Sequence, residues 1–104
     1  MTKSLENRIY LKKKLFRFEY RQGISMTEHL DDFNKIIADL INIDVKVDDE
    51  DKALLLLNSL PDSYDHFTHT LINGKTEVKY DVVSAALMNN EYRKKDKQIG
   101  RAHV

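Results

Sequence analysis

The 104-residue chain has no cysteine, no tryptophan, one proline and three glycines. Without cysteine there are no disulfides, no thiolate catalysis and no cysteine-ligated zinc. So few glycines and prolines leave little material for the turns of a sheet protein, which favours helices. No apolar run approaches the roughly 20 residues needed to span a bilayer, so no membrane partner is expected. Lys3 is not followed by an apolar stretch, so no secretory leader is expected and an intracellular protein is the default. The phosphate-binding pattern GxxxxGK[ST], the dinucleotide pattern GxGxxG and the hydrolase pattern GxSxG are all missing. No Asp-Thr/Ser-Gly triplet occurs, which removes an aspartic protease half-site.

What is present is ordinary for one soluble domain: 41% apolar and 33% charged residues. That domain is expected over residues 1–97, with 98–104 as a disordered tail. The net charge is zero but unevenly spread. Residues 1–21 hold seven Lys/Arg and two acids, residues 26–65 hold three bases and eleven acids, and residues 66–104 hold seven bases and four acids. Such an order suits self-complementary association, or basic ends that meet a polyanion, and it also suits plain solvated helix faces.

The apolar spacing predicts about five helices. The first covers Leu5 to Tyr20 and carries two apolar stripes, Leu5, Ile9, Phe16 and Tyr20 on one side and Leu11, Leu15 and Phe18 on another. A surface helix needs one apolar face, so a second needs a second partner. Gly23 is a plausible stop. Ser25 with Glu28 has the spacing of a capping box and starts a second helix, with Met26, Leu30, Phe33, Ile37 and Leu40 as its stripe. Asn42 to Val47 is a connection. Asp48 with Asp51 is a weaker capping pair, and the acids at 48–51 suit a helix N-terminus. Ala53 to Leu57 is apolar all round, which predicts a central helix. Pro61 opens a short helical segment with Tyr64, Phe67 and Leu71 inward, and Asn73-Gly74 closes it. A last helix covers Tyr80 to Lys97, with Val82, Val83, Ala86, Leu87 and Asn90 inward.

Candidate chemistry is sparse. His66 and His69 have ligand spacing, but no further His or Cys is organised around them, so surface placement is the better reading and no metal or cofactor is expected. The acids at 48–51 lack the calcium-loop pattern. Tyr10, Phe16, Phe18 and Tyr20 are interleaved with bases, which can serve single-stranded nucleic acid, although aromatics on a helix more often pack.

Three phrases then carry a resemblance. R-Q-G-I-S-M-T-E-H-L-D-D-F, D-D-E-D-K-A-L-L-L-L-N-S-L-P-D-S-Y-D-H-F and T-L-I-N-G-K resemble the Gag polyprotein of plant copia-type LTR retrotransposons, over roughly Thr2 to Lys97. Gln22, Gly23, Glu28 and Phe33 are similar to the major homology region of retroviral capsids. The resemblance implies an all-α capsid domain, similar to a retroviral capsid C-terminal lobe, that forms homodimers and helps build a cytoplasmic particle packaging element RNA. It implies no catalytic role. Lys79 stands where the family often has a Thr that caps the last helix.

These lines lead to a self-associating structural protein. Leu11, Leu15 and Phe18 are expected to form the intermolecular surface, flanked by Arg8, Lys12 and Lys14 whose charged ends must reach water. Glu28 is expected to reach back to a backbone N–H and Phe33 to fill the core. Lys13, Lys14, Arg17, Arg21, Arg93, Lys94 and Lys95 are the candidate RNA contacts. The rival readings are a nucleic-acid-binding module using the basic ends, and a Gag-derived host adaptor.

Overall fold

The computed structural model describes residues 5–102, with side chains through Arg93. Among the described residues there are five α-helices, one 3₁₀ turn and no strand. They are α1 (Leu5–Phe16), α2 (Met26–Asn42), α3 (Asp49–Asn58), the 3₁₀ turn (Asp62–Tyr64), α4 (Asp65–Ile72) and α5 (Tyr80–Ala102). The chain is an all-α bundle. Residues 98–102, expected in a tail, continue α5.

α2 is the centre. Met26, His29, Leu30, Phe33, Ile36, Ile37 and Leu40 are all buried along it, a stripe wide enough to pack α1 on one side and α5 on another. Its start follows from local chemistry. Ser25 is extended, and its hydroxyl accepts the Glu28 N–H at 3.1 Å. The reciprocal half of the box is not made: among the described residues the exposed Glu28 carboxylate has no backbone partner. Its end is a Schellman-type stop. Val45 N–H donates to the Leu40 carbonyl and Asp44 N–H to that of Ile41, both at 2.9 Å, with Asp44 in the left-handed region at φ 63°.

α1 ends at Phe16, four residues sooner than its periodicity suggests. Residues 17–25 then form a strap across α2 and the end of α3, tied down by Tyr20 N–H to the Ser59 carbonyl at 2.7 Å. The strap turns at Gly23, whose φ is +90°. Nothing lies within 4 Å of an added Cβ there, so only the backbone conformation resists a side chain. Gly23→Ala is therefore expected to cost about 1–2 kcal/mol, read as a lowered urea midpoint with unchanged slope. A raised midpoint would contradict this turn.

α3 is less central than its leucines imply. Ala53, Leu56 and Leu57 are buried, but Leu55 is half-buried and Leu54 is 46% exposed. Four leucines in a row must face every direction, and on α3 only one side meets α5. The acids at its start also work differently from a capping box. Asp48 makes no side-chain cap bond, whereas Asp49 Oδ2 accepts the Tyr80 N–H at 3.0 Å and so caps α5 from a neighbouring helix. That supplies the cap Lys79 cannot. Tyr80 is further held by its hydroxyl on Asn34 at 2.9 Å, its ring on Phe33 at 5.9 Å and Lys52 Nζ 4.9 Å above it. On α5, Val83 and Leu87 are buried, Ala86 and Asn90 half-buried, and Val82 is exposed rather than inward.

Candidate self-association surface

α1 has three faces. Leu11 and Leu15 are 6% and 5% exposed and pack against α2 in the core. They therefore cannot be the intermolecular surface in this fold. Phe18, grouped with them, is half-buried and stacks on the His29 ring, with centroids 4.6 Å apart. The expectation failed for a physical reason. Lysines and arginines flanking a stripe do not mark it as outward, because their stems can run along apolar surface while their ends reach water. Arg8, Lys12 and Lys14 are exposed beside a buried stripe.

The other apolar stripe faces out. Leu5 is 70% exposed, Ile9 55% and Phe16 62%, at the i, i+4, i+11 spacing that aligns them on one side of α1. Phe16 opens onto a groove of about 570 Å³ between α1, the 43–48 connection and α3, with Val45, Val47, Leu54 and Leu55 on its walls and Lys12, Lys46 and Asp51 on its rim. The stripe and the groove are thus one apolar strip with charges of both signs at its edge. Soluble monomers seldom leave such a strip uncovered, because apolar surface in water is unfavourable in proportion to its area.

The four positions similar to the major homology region separate in role. Phe33 is fully buried, Gly23 makes the turn, and Gln22 and Glu28 are exposed. Of the candidate RNA contacts, Lys13, Lys14, Arg17 and Arg21 lie together at the end of α1 and on the strap, all exposed. Arg93 is exposed at another groove, beside Tyr64, Phe67 and Ala86. The side chains of Lys94 and Lys95 lie outside the described residues.

His29 escaped the sequence reading, although its position three after Met26 and four before Phe33 puts it on the buried face. Its Nε2 is 2.8 Å from the Ser59 hydroxyl, which donates its own hydrogen to the Leu56 carbonyl at 2.5 Å. Nε2 must therefore carry the ring hydrogen and donate to Ser59 Oγ. That leaves Nδ1 as a buried acceptor with no partner among the described residues. The pair cannot act as a nucleophile and base. Both residues are sealed from solvent, and the nitrogen facing the serine has no lone pair to take its proton. Burial lowers the His29 pKa from 6.5 to about 4, offset in part by Asp32 and assisted by Arg21. His66 and His69 are exposed, and no group of three or more His, Cys, Asp or Glu among the described residues could hold a metal ion. No helix among the described residues is long and apolar enough to cross a membrane.

Residues 1–100 match the family model for the gag-polypeptide of LTR copia-type elements. The chain is 47% identical over 105 residues to the retrovirus-related Pol polyprotein from transposon TNT 1-94 of Nicotiana tabacum, covering 100% of this chain and 8% of that polyprotein. No solved structure matches. This all-helical chain, matched over nearly its full length, belongs to the copia-type gag-polypeptide family.

Proposed function

We propose that this domain is a building unit of a Gag particle, and that it self-associates through the outward stripe of α1 and the groove beside it. The observation that carries this is the exposure of Leu5, Ile9 and Phe16, continuous with Leu54 and the walls of the groove. The occupant is a second copy of the chain. With two α1 helices antiparallel, Leu5 of each copy lies over the groove of the other, giving a two-fold contact in which the same patch serves both sides. Glu6 and Arg8 flank the Leu5 end, while Lys12, Lys46 and Asp51 rim the groove, so each sign of charge meets its opposite. The dimer is the repeating contact of a particle assembled in the cytoplasm. Sedimentation over a concentration series tests this. The mass should double within the micromolar range typical of a modest apolar interface. A chain that stays monomeric at millimolar concentration would sink the proposal.

A further inference from the structure

Among the described residues α4 is the one α-helix with no buried residue, although Phe67, Leu71 and Ile72 are apolar. Its eight residues are too few for a stable helix alone in water, so it relies on packing. Its two sides differ in charge. On one side Phe67 and Leu71, at i and i+4, wall a groove of about 480 Å³ against Ala86 of α5. The charge-bearing residues there are His66 and Arg93, and no acid lines it among the described residues. On the other side Asp65 and Ile72, at i and i+7, stand with Leu57, Leu60 and Asp62, and no cation lines that surface among the described residues. Ile72 is 37% exposed, and Asp62, Asp65 and Arg93 are exposed. Among the described residues these three charges make no ion pair.

We infer that the groove between α4 and α5 receives the acidic side of α4 from a second copy, in a head-to-tail contact separate from the α1 strip. Ile72 of one copy seats on Phe67 and Leu71 of the next, and Asp62 and Asp65 meet Arg93 and His66. Charge complementarity selects the occupant. An unrelated acidic protein would fill the groove and leave the acidic side bare, whereas a copy of this chain satisfies both. It also selects the geometry. A two-fold contact at the groove would set Arg93 against Arg93, and the two sides of α4 face apart, so one axis cannot pair both with their opposites. A head-to-tail contact does not close on a pair, because each copy keeps one free side. The two-fold contact at α1 ends at a dimer, and this second contact joins dimers to one another. The contact is smaller and more polar than the α1 strip, so it engages at higher concentration. It stands on the charge and exposure of α4 and holds whether or not α1 pairs.

The test is sedimentation of the 104-residue chain at low salt, where surface charges are least screened, up to concentrations above those that fill the two-fold contact. The wild type should grow past a dimer. Arg93→Glu and Asp62→Lys/Asp65→Lys should each stop at the dimer, because each sets like charges across the contact. Mixed in equal amounts, the two variants should grow again. The reversed groove of one accepts the reversed side of the other, and their two unreversed surfaces also match. Circular dichroism checks that each variant is folded, with Asp62→Lys alone in place of the double variant if the latter is not. The same set in an Ile9→Asp background separates the two contacts. There growth should start from the monomer instead of the dimer, with the same loss and the same recovery on mixing. A failed α1 contact would move only that starting mass. A wild type that never passes the dimer, folded variants that grow as it does, or a mixture that stays where the single variants stop would overturn the inference.

Discussion

Phe33→Ala is expected to destabilise the fold by about 3–5 kcal/mol, the usual cost of emptying a buried phenylalanine site. Phe33 is fully buried on α2 and touches two elements that are far apart in sequence. Phe18 of the strap lies 5.6 Å from it and Tyr80 of α5 lies 5.9 Å from it, ring to ring. Removing the ring leaves a cavity and also takes away the surface on which both neighbours rest. A domain of this size has about 5–15 kcal/mol of stability in total, so the melting temperature should fall by at least about 12 °C. Phe16→Ala makes the contrast. Phe16 is the same residue type but is exposed on α1, so its truncation should stay within about 0.5 kcal/mol for the monomer. Urea unfolding of both variants reads the difference. If Phe33→Ala shifts stability by less than about 1 kcal/mol, α2 is not the centre of this bundle.

Acid should weaken the fold through His29 well before most carboxylates titrate. In the folded chain the ring is neutral, donates to Ser59 and is covered by Phe18 and by the edge of Tyr20, 4.9 Å away. Protonation would put a charge in that enclosure and a new N–H at Nδ1 with no acceptor. Asp32 on the next turn favours the charged ring and Arg21 on the strap disfavours it, each by less than burial does. The folded pKa of about 4 lies below the ordinary 6.5, so the unfolded chain takes up the proton first. Stability is therefore full above pH 6.5, falls as the pH drops through the window between 6.5 and 4, and is fully lost to this group below it. The slope within the window should approach 1.4 kcal/mol per pH unit, for a total of roughly 3 kcal/mol. Urea unfolding between pH 7 and pH 4.5 measures it, with His29→Gln as the comparison, since glutamine does not titrate. The account fails at this point if the variant keeps the wild-type slope.

Most of the helical plan is legible in the sequence, and its failures have local causes. The α2 stripe and the Ser25 cap are periodic and chemically specific, and α2 starts and ends within a residue of its expected bounds. The end of α1 was not legible because periodicity continues through Arg17 to Tyr20 while the backbone turns into the strap to reach Ser59. That tertiary bond has no signal in the local pattern. Likewise, Asp49 reads in the sequence as one of the acids at the positive end of its own helix, and only the fold reveals that it caps α5. The choice between the two stripes of α1 was not legible at all. Both are apolar, both are flanked by long cations, and which one meets α2 depends on how α1 lies across it. Lys13, Lys14 and Arg17 are legible as a basic cluster in the sequence, but Lys35 stands beside Lys14 and Arg17 only by the packing of α1 on α2.

The orientation of α1 is the hinge of the functional account, and a matched pair of charge substitutions tests it most directly. Ile9→Asp and Leu11→Asp place the same group two residues apart on one helix, on the face assigned to a second copy and on the face assigned to the core. Each chain is followed by circular dichroism and by sedimentation across the same concentration series. Ile9→Asp should keep its helicity and sediment as a monomer where the wild type is dimeric, because a charge in a separable interface can be relieved by dissociation. Leu11→Asp should lose helicity, because its carboxylate would be buried without a partner. A folded Leu11→Asp monomer beside an unfolded Ile9→Asp would contradict the account and turn α1 over.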